Sequence, residues 1–247
     1  GRTVRSARRP ICFGWRGVMR PILIFGASRG VGLSLARQMR RREVQVTAML
    51  RPGSASDELA AVGVRIVRGD AMSREDVAAA FAGLPTGCDV VSTIGGRTPD
   101  GIFVDEVGNI NIIDAAAAHG VQRFVFVTSI GCGDMAPFRS ERAIAAFGAT
   151  VDAKTRAEDH LRRAIPSATI IRPGGLRSDP GTGRGILTHD PEMHGFINRD
   201  DVAELIVRVL DDPATIGQTF AAVDADNAQS VNPIRPFELR PALPFVS

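Results

Sequence analysis

The apolar positions of the chain alternate between two rhythms. Short apolar runs stand at residues 22–25, 45–50, 65–68, 90–93, 123–128 and 168–172. Between them, apolar residues recur at helical spacing over about 30–41, 56–62, 74–82, 104–119, 153–164 and 201–211. Runs such as Phe124-Val125-Phe126-Val127 are nearly continuous, as expected of strands covered on both faces. Strand and helix in regular alternation predict an α/β domain: a doubly wound, mostly parallel sheet with helices on each side.

Two stretches depart from this rhythm. Residues 178–197 carry Gly181, Gly183, Gly185 and Pro191 and read as an irregular or hairpin segment. Such stretches in compact domains are often binding loops. We therefore place a small substrate region at about 174–200, within a domain spanning 19–225. Residues 226–247 carry Pro233, Pro236, Pro241 and Pro244 and read as an extended tail, partly disordered or packed on a partner chain. Helix 201–211 opens with Asp201 and Glu204, spaced like a capping box, and Asp211-Asp212-Pro213 closes it.

The first strand runs directly into Gly26-Ala27-Ser28-Arg29-Gly30-Val31-Gly32, after which Leu33, Leu35, Ala36 and Met39 begin a helix. A tight glycine turn between strand and helix lets the backbone approach a pyrophosphate. The helix N-terminus then offers N–H donors and the positive end of its dipole.

Composition narrows the picture. The 247 residues suit one α/β domain, and 44% hydrophobic content supports a sizeable core. No apolar run approaches the ~20 residues of a membrane helix. Cys12, Cys88 and Cys132 form neither a Cys-x-x-Cys pair nor a zinc pattern, so no metal site is expected and a reducing, cytoplasmic compartment is. The net charge of +3 comes from six arginines within residues 1–20. Without them, 24 basic residues stand against 27 acidic ones, a balance of −3. The domain itself thus carries no charge signal for nucleic acid. We read residues 1–18 as a disordered or non-native basic extension ahead of Met19. Organelle import by this Arg-rich segment is the alternative.

In a doubly wound sheet, ligands bind beyond the carboxyl ends of the strands. The second strand ends Leu50-Arg51-Pro52, with no acid for a ribose 2′-hydroxyl. Arg51 there, and Arg29 inside the glycine turn, suit a 2′-phosphate and favour NADP(H) over NAD(H). Asp70 and Ala71 follow the third strand; Asp70 can accept from an adenine amine. Thr93, Ile94 and Gly95 follow the fourth and let a dinucleotide lie against the backbone. Ser129, after the fifth strand, faces a substrate or the nicotinamide. Pro173, Gly174 and Gly175 close the sixth strand with amides suited to a nicotinamide carboxamide. Lys154 is the one lysine in the chain, while every other basic residue is arginine. A compact ammonium with a tunable pKa is thereby singled out. Met135, Phe138 and Phe147 lie between the fifth strand and helix 153–164. With Cys132 and Leu176, Met135 and Phe138 are the candidate substrate contacts.

Together these segments resemble the atypical short-chain dehydrogenase/reductases, nearest the NmrA-like and biliverdin-reductase-B-like groups. The matching residues are Gly26–Gly32, Gly69-Asp70-Ala71, Asn111–Ala116, Val127–Gly131, Lys154, Ile171–Leu176 and Asn198–Ala203, across about residues 20–225. The resemblance implies a Rossmann-type fold and a nicotinamide cofactor, and it assigns Ser129 and Lys154 to the catalytic site. In the superfamily that lysine binds the nicotinamide ribose and works with a tyrosine four residues earlier. Here that position is Thr150, and the chain contains no tyrosine. An aliphatic hydroxyl cannot replace a phenol of pKa about 10 as general acid.

Three functions follow as expectations. The first is an NADPH-dependent reductase of an apolar or conjugated small molecule (flavin, quinone, tetrapyrrole or enone), with the proton from Lys154, Ser129 or water. The second is a non-catalytic NADP(H) sensor or assembly factor. The third is an NAD(P)-dependent epimerase or dehydratase. A monomer or homodimer is expected.

Overall fold

The computed structural model describes residues 19–241. In chain order its elements are β1 (Ile22–Phe25), α1 (Gly30–Arg41), β2 (Val46–Leu50), α2 (Asp57–Ala61), β3 (Arg65–Arg68), α3 (Arg74–Ala80), β4 (Asp89–Ser92) and α4 (Val107–His119). Then come β5 (Arg123–Val127), α5 (Glu141–Ala164), β6 (Thr169–Pro173), β7 (Gly175–Arg177), β8 (Gly185–Thr188), β9 (Phe196–Asn198), α6 (Arg199–Asp211) and β10 (Thr219–Asp224). The main sheet runs β3-β2-β1-β4-β5-β6-β10-β8, and β7 pairs with β9 separately. All neighbours in the main sheet are parallel except the β10–β8 edge pair. This is the doubly wound, Rossmann-type arrangement, in one domain, with the strand order reversing between β1 and β4. Among the described residues no helix is long and apolar enough to cross a membrane.

Alternation within the strands divides the core. Ile22 and Ile24 face one layer with Leu35, Met39, Val202 and Ile206 from α1 and α6. Leu23 and Phe25 face the other with Phe81, Ile112, Ile113 and Leu161, beside α3, α4 and α5. The strands β1, β2, β4, β5 and β6 bury both faces, which is why their sequences show little polar alternation, whereas the edge strand β3 exposes Arg65 and Arg68.

The six strands expected from the pattern are present with ends moved by at most one residue. Three features differ. Helix α5 begins at Glu141, twelve residues before the expected start. Ser140 caps it by accepting the Ala143 N–H at 3.1 Å. Its first turns escape a periodicity reading because Ile144 and Phe147 are exposed and Gly148 interrupts them. Lys154 therefore sits mid-helix. At α6 the capping-box reading fails. The helix starts at Arg199, and the buried Asp201 instead accepts the Thr182 and Gly183 N–H groups at 2.9 and 2.8 Å, anchoring the loop before β8. The segment expected to be irregular contributes β8 and β9, and the unpredicted β10 completes the sheet.

The proline-rich tail packs on its own chain. Phe237 donates its N–H to the Leu187 carbonyl at 2.7 Å, and its ring lies 4.8 Å from Phe220 and 5.8 Å from His189. The Arg240 N–H reaches Asp212 Oδ2 at 2.9 Å. The basic extension 1–18 and residues 242–247 lie outside the described residues.

A buried ion pair joins β5, β6 and α5. Arg172 donates to Glu158 through Nε at 3.0 Å and Nη2 at 2.7 Å, and Thr128 Oγ1 donates to the same carboxylate at 2.7 Å. The exposed Asp134 also accepts from Arg172, at 2.5 Å. Burial would pull the guanidinium pKa down, but the bonds and charges of Glu158 and Asp134 reverse this and hold it above its ordinary value.

Two outcomes follow. Glu158→Gln leaves a buried guanidinium short of its counter-charge and should cost about 3–5 kcal/mol of unfolding free energy. A shift of the urea midpoint under 1 kcal/mol-equivalent, or about a fifth of that cost, would refute it. Phe237→Ala removes an aromatic contact and its burial, and should lower stability by about 1–3 kcal/mol with an unchanged denaturant slope.

Candidate functional site

The site forms where β1, β4 and β5 release the chain. Gly26 has φ +91°, and a Cβ there would lie 2.4 Å from Thr93 Oγ1. Gly32 sits so close to the turn that a Cβ would lie 2.2 Å from the Gly26 carbonyl oxygen. Both must be glycine for α1 to start where it does. Val31 and Gly32 are buried against the sheet, Ser28 is half-buried and Arg29 is exposed. Arg29 is the extended N-cap of α1 but makes no side-chain cap, and the first turn holds no acid. The N–H donors opening α1 thus have no side-chain cap and no first-turn acid to compensate the dipole, which fits a nucleotide pyrophosphate.

Beyond β2, Arg51 is exposed. Its loop is held by Arg68, which donates through Nη1 to the Arg51 and Ser54 carbonyls at 3.1 and 2.7 Å and through Nη2 to Ser56 Oγ at 2.8 Å. Asp70 accepts the Met72 N–H at 2.9 Å through one carboxylate oxygen. The Ala71 carbonyl accepts from Asn111 at 2.9 Å, which ties this corner to α4. Thr93 is inward-facing: its hydroxyl lies 3.2 Å from the Phe25 carbonyl and 3.3 Å from that of Gly26, bracing the glycine turn. Ile94 is half-buried and Gly95 exposed.

Lys154 reaches across from α5 to this same edge. Its Nζ lies 2.6 Å from Asp105 Oδ1, with the Asp105 side chain 1% and the Lys154 side chain 17% exposed. Asp105 Oδ2 accepts the Gly96 N–H at 2.8 Å. Asn109 Nδ2 donates to the Asp105 carbonyl at 2.9 Å, while Asn109 Oδ1 accepts from Ser92 Oγ at 2.6 Å. A Cβ at Gly95 would lie 2.5 Å from Asp105 Oδ1 and 3.4 Å from Lys154 Nζ, so glycine is what lets the chain pass over the ion pair. Asp105 is the residue that sequence reasoning missed. An acid at the start of a helical pattern reads as ordinary dipole compensation, and nothing local shows that Lys154, forty-nine positions later, closes on it. Thr150 lies one helical turn before Lys154.

Ser129 is half-buried two residues past β5, its Oγ 3.8 Å from Cys132 Sγ. The candidate substrate contacts divide. Phe138 and Leu176 are 40% and 41% exposed and remain open to a ligand. Cys132 and Met135 are corrected to core residues. Cys132 is fully buried with its thiol 3.7 Å from the Val151 carbonyl, and Met135 packs with Met193, Ala221 and Val223. Burial, with the nearby Glu158 charge, pushes the Cys132 thiol pKa up, away from a reactive thiolate.

The expected amide donors after β6 are also corrected. The Gly174 N–H donates to the Ala222 carbonyl at 2.8 Å and the Gly175 N–H to the Gly195 carbonyl at 2.9 Å. The Pro173 carbonyl accepts from Ile130 at 2.9 Å. This turn is occupied by strands the pattern did not reveal, and its backbone has no such donor left for a carboxamide.

Comparison with known proteins agrees with this geometry. The pattern of a family described as NAD(P)H-binding matches residues 26–213. YhfK of Bacillus subtilis, named an uncharacterized sugar epimerase, is 31% identical over 212 residues, which is 83% of this chain and 94% of YhfK. Sanguinarine reductase of Eschscholzia californica is 36% identical over 113 residues, 44% of this chain and 40% of that protein. Among solved structures, ChuY, described as an anaerobillin reductase from Escherichia coli O157:H7, is 36% identical with a TM-score of 0.77, covering 87% of this chain and 100% of ChuY. With the family pattern running from the glycine turn past the end of α6, and with reductases among the proteins it resembles, the chain belongs to the NAD(P)H-binding family and is an NAD(P)H-dependent oxidoreductase of the atypical short-chain dehydrogenase/reductase type.

Proposed function

We propose that the protein is an NADPH-dependent reductase acting on an apolar or conjugated small molecule of the flavin, quinone, tetrapyrrole or enone type. The observation that carries this reading is the Asp105–Lys154 pair beneath Gly95, at the end of the sheet where α1 presents its free donors. Sanguinarine reductase and ChuY, reductases by name, support the reaction type.

NADPH, when bound, supplies the hydride. The chain's own residues bind and orient. The N–H groups opening α1 hold the pyrophosphate. Arg29 and Arg51, neither of which shares an ion pair among the described residues, take the 2′-phosphate bidentately. Asp70 keeps a carboxylate oxygen for the adenine amine. Asp105 holds the Lys154 ammonium, which would donate its remaining hydrogens to the ribose hydroxyls. No tyrosine shares this work, so the proton that follows reduction comes from Lys154, Ser129 or solvent. Phe138 and Leu176 offer apolar surface to the substrate. The name of YhfK favours a second reading, an NAD(P)-dependent epimerase or dehydratase, in which bound nucleotide is regenerated each cycle. Stoichiometric consumption of NADPH with a quinone or flavin separates the two. Consumption without added carbohydrate supports the reductase, and none across such a panel overturns it.

Cofactor preference is checked by calorimetric titration. NADPH should bind more tightly than NADH, and Arg51→Ala should remove about 1.5–3 kcal/mol of that preference, or ~10–100-fold in affinity, while leaving NADH unchanged. Equal wild-type affinities would sink it. Lys154→Ala should weaken NADPH by a similar ~10–100-fold through one lost charged hydrogen bond, and should lower kcat by a further ~100-fold if the ammonium also delivers the proton. Unchanged affinity and turnover would remove Lys154 from the site. Asp105→Asn keeps the shape but not the charge. It should reproduce the loss of NADPH affinity with Lys154 still present, which a purely structural aspartate would not do.

A further inference from the structure

Arg199, the first residue of α6, is absorbed by none of the roles above. Its position is fixed by the packing of α6 on α1. Ser34 Oγ donates to Asp200 Oδ1 at 2.6 Å, and Gln38 Nε2 donates to the Asp200 carbonyl at 3.1 Å. These bonds bring Arg199 over the glycine turn. Its Cδ and Nε lie 3.4 and 3.5 Å from where a Cβ on Gly30 would stand. Gly30 has φ +58° and no side chain, so the guanidinium stem lies close against bare backbone. Nη1 donates to Ser178 Oγ at 2.8 Å, and among the described residues Arg199 shares no ion pair with a carboxylate.

The electrostatics of this corner are one-sided. Arg199 is half-buried, so its charge is partly removed from water. The N-terminus of α1 beside it carries no side-chain cap and no acid in its first turn. Two positive groups converge here, and the neighbouring Asp200 carboxylate accepts from Ser34 and shares no ion pair with Arg199 among the described residues. A half-buried guanidinium in that setting is stabilised by an external anion.

We infer that Arg199 is a pyrophosphate-binding residue that ties the dinucleotide to the substrate segment through Ser178. The inference rests on the reading that a dinucleotide lies across the glycine turn. Position separates Arg199 from the 2′-phosphate contacts. Arg51 follows β2, on one side of β1, whereas Ser178 follows β7 and thus belongs to the chain leaving β6, on the other side. Arg199 and Arg51 therefore read different phosphates of one ligand. Arg199 also spans the two parts of the site, since Ser178 lies two residues from Leu176, one of the exposed apolar residues offered to substrate.

The test is calorimetric titration of wild type, Arg199→Ala and Arg199→Gln with three probes: NADPH, NADH and adenosine 2′-monophosphate. The Gln variant retains a donor toward Ser178 and a stem over Gly30, so it keeps the test sound if the Ala variant folds poorly. Both substitutions should weaken NADPH and NADH alike, by about 10–100-fold, the scale of one charge-assisted phosphate contact. Binding of adenosine 2′-monophosphate, which has no pyrophosphate, should not change. Arg51→Ala should show the converse pattern, losing NADPH and adenosine 2′-monophosphate but not NADH. If folded Arg199 variants bind both dinucleotides as wild type does, or lose NADPH and adenosine 2′-monophosphate while keeping NADH, the assignment is wrong. Wild-type protein that binds neither dinucleotide would overturn the dinucleotide reading as a whole, and this inference with it.

Discussion

The start of α1 is held against the end of β1 by a contact that only glycine permits. Gly32 lies against the Gly26 carbonyl at a distance no side chain could share, and Gly26 in turn leaves room only for Thr93. Three backbone segments meet there because two positions lack a Cβ. The contact sets the α1 N-terminus at the point where strand order reverses between β1 and β4, the crevice in which doubly wound sheets hold ligands. It also fixes α1 as the surface on which α6 packs, and that packing carries Arg199 to the turn. A Cβ at Gly32 would disturb the glycine turn and the α1–α6 layer of the core together.

The catalytic end is organised by charge. In the superfamily this chain resembles, a lysine works beside a tyrosine; in the proposed function Lys154 takes that place without the phenol. The group that holds Lys154 is the Asp105 carboxylate, from the turn before α4. Asp105 is almost wholly buried, so an unpaired charge there would be costly. Lys154 and the Gly96 N–H together compensate it. The same logic recurs one layer deeper, where Glu158 and Arg172 neutralise each other beneath the loop that carries Ser129 and Phe138. The chain divides its cations by shape. Planar guanidinium forks serve the bidentate Glu158 pair and, in the proposed function, the phosphates. The one compact ammonium is set beside the glycine loop that follows β4.

What was legible in the sequence and what was not follow from where the information lies. The alternation of apolar runs, the glycine turn and the uncapped helix start are local properties. Each depends on residues within one element or its immediate flank, so the six parallel strands and the glycine turn between β1 and α1 could be read directly, while the strand order came from the tertiary structure. Lys154 stood out by composition alone. The start of α5 could not be read, because Ile144 and Phe147 face outward and leave no apolar stripe toward the core. Strand β10, with Ala221 and Ala222 at its centre, carries too little β-branched character to declare itself.

The sequence by itself determined the fold class, the cofactor turn and the identity of the unusual lysine, because those are written in spacing and residue type over short ranges. Tertiary structure alone decided that Asp105 holds that lysine and that Arg199 lies over Gly30. It also decided that Cys132 and Met135 turn inward, and that the amides after β6 are consumed by Ala222 of β10 and by Gly195 just before β9. Each of these depends on a contact between residues far apart in the chain. The physical reason is common to all four. A hydrogen bond or an ion pair is fixed by where folding brings its two partners, and the residue type on either side is compatible with many partners until packing selects one.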